Sequence, residues 1–417
     1  LNFAKSSRPN DDTIRSVDHL FRHSAGRMTA VLAKAFGLDK FDLIEDAIQD
    51  SMIKALRTWP FAGVPEKPEA WLLTVARNRL IDQLRRGTRS EAIGDRDITA
   101  DSPIDVVFAD ELEEDVLKMM FACRDPRISP DSQVALTVRA VGGFNVREIA
   151  SAFLAHEESV AKLITRAKVR LRRSRLEIPP PQELPVRLEP VLKALYLMFN
   201  EGYSTSAGER PVRNDLCFEA IRLAKILAAH PVTDLPQTHA LTALFLFQTS
   251  RIAARFDADG DVLRLSEQDR RLWNRHLIAD GLKHLRRSAH GSELSAYHLE
   301  AEIASLHSTA SSFDGTDWHR IVICYDRLLE RRASPVVALN REIARAQVDG
   351  PESPLSVIEN LAPALNDYPL FHITRGELLS RLGRAVDAEA AYAEAGRFNG
   401  NNAMYRFLRQ RTGAENS

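Results

Sequence analysis

Apolar positions recur at helical spacing along almost the whole chain. Ile14, Val17, Leu20 and Phe21, followed by Met28, Val31 and Leu32, make one stripe, because residues three and four apart share a helix face. The stripe predicts a first helix over about Asp12 to Phe36, stopped at Gly37, a residue that accepts the left-handed cap conformation. A second helix, about Asp42 to Thr58, buries Leu43, Ala47, Met52, Ala55 and Leu56 and ends before Pro60. A third opens at Pro68, which suits a first helical turn, and runs through Trp71, Leu72, Val75, Leu80 and Leu84 to about Gly87. The two-residue alternation of strands is scarce, so the expected fold class is all-α.

The breaks in this periodicity set the expected domains. Residues 10–88 form the first, and 89–108 lapse into polar residues with single Gly and Pro, a flexible linker. Periodicity returns over 109–177, and the stiff run Ile178 to Pro185 separates it from a helical extension over 186–417. A chain of 417 residues exceeds one ordinary domain, so several cores are expected. Near the end, Gly376, Leu379, Gly383, Ala388, Tyr392 and Ala395 fall at the offsets of a tetratricopeptide helix pair. Val336 to Leu361 has a similar rhythm broken by Gly350, Pro351 and Pro354. The extension is therefore expected to be tetratricopeptide-like over about 290–412, a short solenoid on a less regular helical base.

Composition alters this picture in three places. The net charge of −1 hides a local imbalance, with acids crowding Asp105 to Asp115 and bases crowding Arg77 to Arg89 and Lys162 to Arg175. Basic stretches inside a neutral chain are what a nucleic-acid contact needs. No apolar run reaches the roughly 18 to 20 residues of a membrane span, and no secretory leader is visible, so the expectation is a cytoplasmic protein with no membrane partner. Cys123, Cys217 and Cys324 lie too far apart for a zinc site or a disulfide framework and read as buried thiols.

Catalytic signals are missing. No H-E-x-x-H, G-x-S-x-G or G-x-x-x-x-G-K-[ST] pattern occurs, so neither an enzyme nor a nucleotide, cofactor or metal site is expected. Asp257, Asp259 and Asp261 imitate a calcium loop, but Val262 replaces the glycine at the sixth position and Gln268 the glutamate at the twelfth. They read as an acidic turn.

Two stretches carry binding chemistry. In Asn145 to Lys168, Asn145 and Glu148 have capping-box spacing, Ile149, Ala150 and Phe153 face inward, and Val160, Leu163 and Ile164 make the inner stripe of a second helix. This is the pattern of a helix-turn-helix, whose second helix enters the major groove. Its outward positions are Ala161, Lys162, Thr165, Arg166 and Lys168, followed by Arg170, Arg172, Arg173 and Arg175, a face read as cationic without interleaved acids. Along Pro68 to Arg86 the outward side offers Arg77, Asn78, Arg79, Arg85 and Arg86. Such a row tracks a phosphate backbone and carries one amide able to read a base. Trp71 can be imagined as a stacking platform, but its spacing with Leu72 and Val75 reads as core.

At these stretches the chain resembles the extracytoplasmic-function sigma factors, promoter-reading subunits of RNA polymerase. Asp42 to Leu56 is similar to the family's polymerase-binding helix, Ala70 to Arg85 to its minus-10 helix, and residues 145 to 173 to its minus-35 reader. The resemblance implies a region 2 domain over 10–88, a region 4 domain over 109–177, and core RNA polymerase and promoter DNA as partners. It implies that Asp46, Gln49, Asp50 and Lys54 dock to polymerase. It further implies that the loop Pro60 to Lys67 with Asn78 captures a flipped minus-10 base, and that Ala161, Lys162, Thr165, Arg166 and Lys168 contact the minus-35 duplex. Leu163 stands where the family commonly has Arg, and His156 holds a cap position usually given to Pro or a small polar residue.

Through Ala194 to Gly208 and the tetratricopeptide-like end, the second half resembles the extension of a subgroup often encoded beside small YCII-related proteins. There the extension tunes sigma activity, through a regulatory protein or an intramolecular contact. Two other readings compete: a polymerase-independent helix-turn-helix regulator, and a tetratricopeptide scaffold whose basic helices bind acidic proteins.

Overall fold

The computed structural model describes residues 24–90, 109–123, 128–153, 155–174, 176–180, 182–203, 214–257, 262–291 and 293–397. Among them the regular structure is helical, and the single strand-like pairing is an isolated bridge between Phe256 and Val262. The expected linker from residue 91 onward, the polar run at 204–208, Asp259 and Asp261, and the last residues of the expected repeat region lie outside the described residues. The chain divides into two compact units, residues 1–201 with 218–226, and residues 202–217 with 227–417.

In the first unit, helix α1 covers 24–36 and stops at Gly37, whose φ of 90° favours glycine, although its ψ of 152° is extended and not that of the expected left-handed cap. Helices α2 (Phe41–Ala62) and α3 (Pro68–Ser90) pack on each other as a hairpin. Ile44, Ala47, Ile48, Met52 and Ala55 are buried on α2, and Leu72, Ala76, Leu80 and Ile81 on α3. Both helices overrun their expected ends. α2 passes through Pro60 because the buried indole of Trp59 anchors the last turn, and the chain leaves only at Gly63, whose N–H donates to Trp59 O. α3 passes through Gly87 to Ser90, since a helical glycine costs only about 1 kcal/mol and does not by itself end a helix. Leu56, expected in the core, is 40% exposed, and Leu43 is half-buried.

Helices α4 (Ala109–Ala122), α5 (Pro130–Ala140), α6 (Val146–Ala152) and α7 (Glu157–Leu171) complete this unit together with α8 (Leu184–Tyr203) and the middle of α9 (Asn214–Ala229). α6 begins as its sequence predicts: Asn145 N–H donates to Glu148 Oε2 at 2.8 Å, and Glu148 N–H to Asn145 Oδ1 at 2.9 Å. α1 touches the end of α5 so closely that a Cβ on Gly26 would stand 2.0 Å from Val141 O, a position only glycine fills. Across from it, Lys34 on α1 pairs at 3.0 Å with the buried Asp115 of α4. α8 buries Leu188, Val191, Leu192, Leu195, Met198 and Phe199, with the Met198 sulfur against Gly142.

The second unit is built on α10 (Pro236–Ser250), which is buried on all sides, as an apolar helix inside a large core must be. α11 (Arg275–Ser288) and α12 (Ala296–Thr309) pack on it, followed by α13 (Trp318–Arg331) and α14 (Pro335–Val348). The short helices α15 (Glu352–Glu359) and α16 (Ala362–Leu365) lead to the pair α17 (Pro369–Arg381) and α18 (Ala385–Gly396). Leu379, Ala388, Tyr392 and Ala395 are buried in one core with Leu339, Ile358 and Phe371. A Cβ on Gly376 would lie 2.6 Å from the Tyr392 ring, so the small residue there permits the close approach of α17 and α18. All three cysteines are free and buried, and burial pushes the Cys324 thiol up to about 12.

Candidate nucleic-acid interface

On α2, Asp46, Gln49 and Lys54 are exposed and Asp50 is half-buried. Ile53 and Leu56 are also exposed, each 40%. Residues 42, 46, 49 and 53 recur at intervals of four, three and four, so they share one helix face. On α3, Asn78, Arg85 and Arg86 are exposed, whereas Arg77 and Arg79 are half-buried. Arg79 Nε lies 2.6 Å from Asp50 Oδ2, so a cation of the expected minus-10 row and an anion of the expected docking set are bonded to each other across the hairpin. Trp71 packs at 5.4 Å, tilted by 59°, against the buried Trp59, which agrees with a core role. Between the helices, Phe61 is 92% exposed.

On α7, Lys162, Thr165 and Arg166 are exposed, and Ala161 is half-buried. The Thr165 hydroxyl donates to Ala161 O, and Lys162 pairs with Glu158 at 2.6 Å. That pair corrects the reading of a face without interleaved acids: Glu158 sits four residues before Lys162, in the first turn, where the helix dipole favours a carboxylate. Lys168 points elsewhere. Two residues beyond Arg166 it is rotated by about 200°, at 3.6 residues per turn, and its side chain is only 19% exposed.

The Lys168 ammonium bonds to Glu45 and lies 3.1 Å from Asp42 Oδ1 and 5.6 Å from the ring centre of the buried Phe41. Arg172 bonds to the same Asp42, and Arg139 of α5 to Glu45 at 2.9 Å. Three cations of the α5–α7 segment thus grip the first turn of α2. Burial opposes charge on Asp42, but the hydrogen bonds from Arg172 and Lys168 outweigh it and hold its carboxyl below the usual range.

Residues 20–90 match the family model for sigma-70 region 2, which covers α1 to α3 and their hairpin. Residues 187–289 match a family of unknown function, DUF6596. The chain is 40% identical over 362 residues to the uncharacterized protein R00370 of Rhizobium meliloti (strain 1021), a match covering 85% of each chain. It belongs to the same family as R00370 and carries a sigma-70 region 2 domain. No solved structure matches it. A region 2 domain supports a sigma-70 factor, a class whose partners are core RNA polymerase and promoter DNA. Among the described residues no helix is long and apolar enough to cross a membrane.

The region 2 domain contains side chains that sequence reasoning passed over. Ile53, with Leu56 that was expected in the core, adds an apolar strip to the polar α2 face, and Phe61 offers an aromatic plane beside the loop. Phe61 follows the buried Trp59 by two positions in the last turn of α2, about 200° round the helix and so off its buried face. The signal for the grip on region 2 was weaker, because Asp42 and Lys168 are 126 residues apart and neither breaks a local pattern.

Proposed function

We propose that this protein is an RNA polymerase sigma factor of the extracytoplasmic-function type, with a helical extension that tunes its activity. The observation that carries this reading is the region 2 match, falling on a hairpin whose two outer faces present different chemistry. The α2 face, with Asp46, Gln49, Asp50 and Lys54 around Ile53 and Leu56, has the mixed polar and apolar character of a protein-docking surface and is assigned to core polymerase. The α3 side, with Arg77, Asn78, Arg79, Arg85 and Arg86, is assigned to the minus-10 element. Asn78 is placed there to read a base that Phe61 and the 63–67 loop receive as it leaves the stack. Unstacking one base costs a few kcal/mol, so its capture favours the open duplex.

α6 and α7 are assigned as the helix-turn-helix that reads the minus-35 duplex, through Ala161, Lys162, Thr165 and Arg166, and through Lys168 once it is released from α2. The grip of Lys168, Arg172 and Arg139 on Asp42 and Glu45 lies on the same α2 face as Asp46 and Gln49. It therefore belongs to a closed form in which the polymerase-docking face and the promoter reader occlude each other, and polymerase binding selects the open form. The α17–α18 pair is read as tetratricopeptide-like, a surface for a regulatory protein or for the sigma domains themselves.

Transcription in vitro tests the reading. Full-length protein with core polymerase on a randomised promoter pool is expected to enrich two short elements at a fixed spacing. Asn78→Ala is expected to keep polymerase association and lose permanganate reactivity at the downstream element. Duplex binding without polymerase-dependent transcripts would favour a polymerase-independent regulator, and absence of both would favour a scaffold.

A further inference from the structure

The second unit holds a partly open cavity of about 450 Å³, within the range of roughly 300 to 1,000 Å³ that small-molecule sites occupy. Its walls come from α12, α13, α14 and α17 and from the segment 264–266. One side is aromatic: the Trp318 ring stands 5.0 Å from Phe313 and 5.2 Å from His307, making a corner of three rings. The other side is polar, with His307, Tyr325, Asn340 and Thr374 on it. His307 Nδ1 is enclosed without a hydrogen-bond partner among the described residues. The Tyr325 hydroxyl, the Asn340 amide and the Thr374 hydroxyl also line the space. A polar atom enclosed by protein is normally paired, so the unpartnered His307 Nδ1 calls for a partner, and the three other polar groups on the wall can bond the same one.

Charge narrows the class of that partner. Arg264, on the wall, is taken up by Glu267 and Glu377, which lies 3.1 Å from it. Arg381, at the C-terminal end of α17, donates one N–H to Ala346 O at 2.8 Å and has no carboxylate within salt-bridge distance among the described residues. Among the described residues of the wall it is the cation that no carboxylate pairs. Burial, with Arg251 and Arg270 nearby, pushes His307 down to about 3, so the imidazole is neutral at physiological pH and adds no second charge. Tyr325 is pushed up to about 12 by burial and stays a donor.

We infer that this cavity binds a small organic anion bearing an aromatic ring, with the ring against Trp318 and Phe313 and the anionic group toward Arg381. Asn340, Thr374 and Tyr325 supply hydrogen bonds along its length. An organic cation is disfavoured by Arg381, and a neutral ring forgoes the charge-assisted bond, which is about twice as strong as a neutral one. The inference stands on the second unit alone and does not depend on the promoter reading.

Three probes of nearly equal size test it on the full chain: 1-naphthoate, 1-naphthylmethanol and 1-naphthylmethylamine, each followed by calorimetry and thermal shift. One molecule of naphthoate per chain is expected, binding at least tenfold more tightly than the alcohol, with the amine weakest. Arg381→Gln, at an exposed position with the wild-type fold retained, is expected to abolish the preference for naphthoate while leaving the alcohol unchanged. Trp318→Leu is expected to weaken all three. The inference is overturned if naphthoate fails to bind at millimolar concentration, if the three probes bind alike, or if Arg381→Gln leaves the order intact. Because Arg381→Gln reads a preference rather than a total loss, a folding defect would lower every affinity together and is told apart from loss of the anion site.

Discussion

Arg166 and Lys168 have the same charge and stand two positions apart, yet their surroundings assign them different work. Arg166 is exposed, while Lys168 is enclosed by Asp42, Glu45 and Phe41. Arg166→Ala is expected to weaken binding to a promoter duplex and to reduce the slope of log K against log salt by about one unit, the contribution of one phosphate contact. Lys168→Ala is expected to change that slope less in the isolated protein and to lower the melting temperature, because it leaves Glu45 with Arg139 alone. Fluorescence anisotropy over a salt series, with calorimetric melting, distinguishes the two. His307 makes a second prediction at this scale. Burial holds it at about 3 in the folded state, below the ordinary imidazole value of 6.5, so the folded state binds fewer protons than the unfolded chain between those limits. The stability it contributes is present above pH 6.5 and is lost as pH falls from there toward 3. Burial lowers His239 and His298 in the same direction. Urea denaturation between pH 7 and 4 is expected to show falling stability, with a shallower fall in His307→Phe.

At the scale of elements, the first turn of α2 is where the α5–α7 segment and the region 2 domain meet. Asp42→Asn with Glu45→Gln removes the two carboxylates that Lys168, Arg172 and Arg139 hold. The pair is partly exposed, so screening limits its worth, and packing such as Gly26 against Val141 also holds this unit together. The double variant is expected to speed hydrogen exchange in α7 and to raise affinity for core polymerase, with a modest loss of melting temperature. Unchanged exchange in α7 together with unchanged polymerase affinity would show that the ion pairs do not govern the closed form. The element boundaries have local causes as well. Trp59 and Gly63 carry α2 past Pro60, and the reciprocal bonds of Asn145 and Glu148 start α6 where the sequence predicts.

At the scale of the whole molecule, the first compact unit extends beyond the Pro-rich spacer to residue 201 and takes in 218–226. α8 supplies Met198 to the surface around Gly142, and its buried stripe from Leu188 to Phe199 belongs to this unit's core. A chain cut at 180 therefore loses core side chains that a chain cut at 229 keeps. Residues 1–229 are expected to melt cooperatively and at a higher temperature than 1–180, by scanning calorimetry. Equal melting temperatures would show that α8 adds nothing to the stability of the first unit.

The sequence by itself determined the helical class, the stop at Gly37, the capping box at Asn145, the burial of the three cysteines and the set of small residues at Gly376, Ala388 and Ala395. Each follows from spacing within about one helix pair, where periodicity and backbone conformation act locally. Tertiary structure decided the rest. It bonded Arg79 to Asp50, turned Lys168 away from Arg166 and onto α2, exposed Leu56 and Phe61, and gathered Trp318, Asn340 and Arg381 around one cavity. Those placements join residues tens to more than a hundred positions apart. A long-range contact depends on how helices pack, and the spacing of residues within each helix carries no information about which helix it will meet.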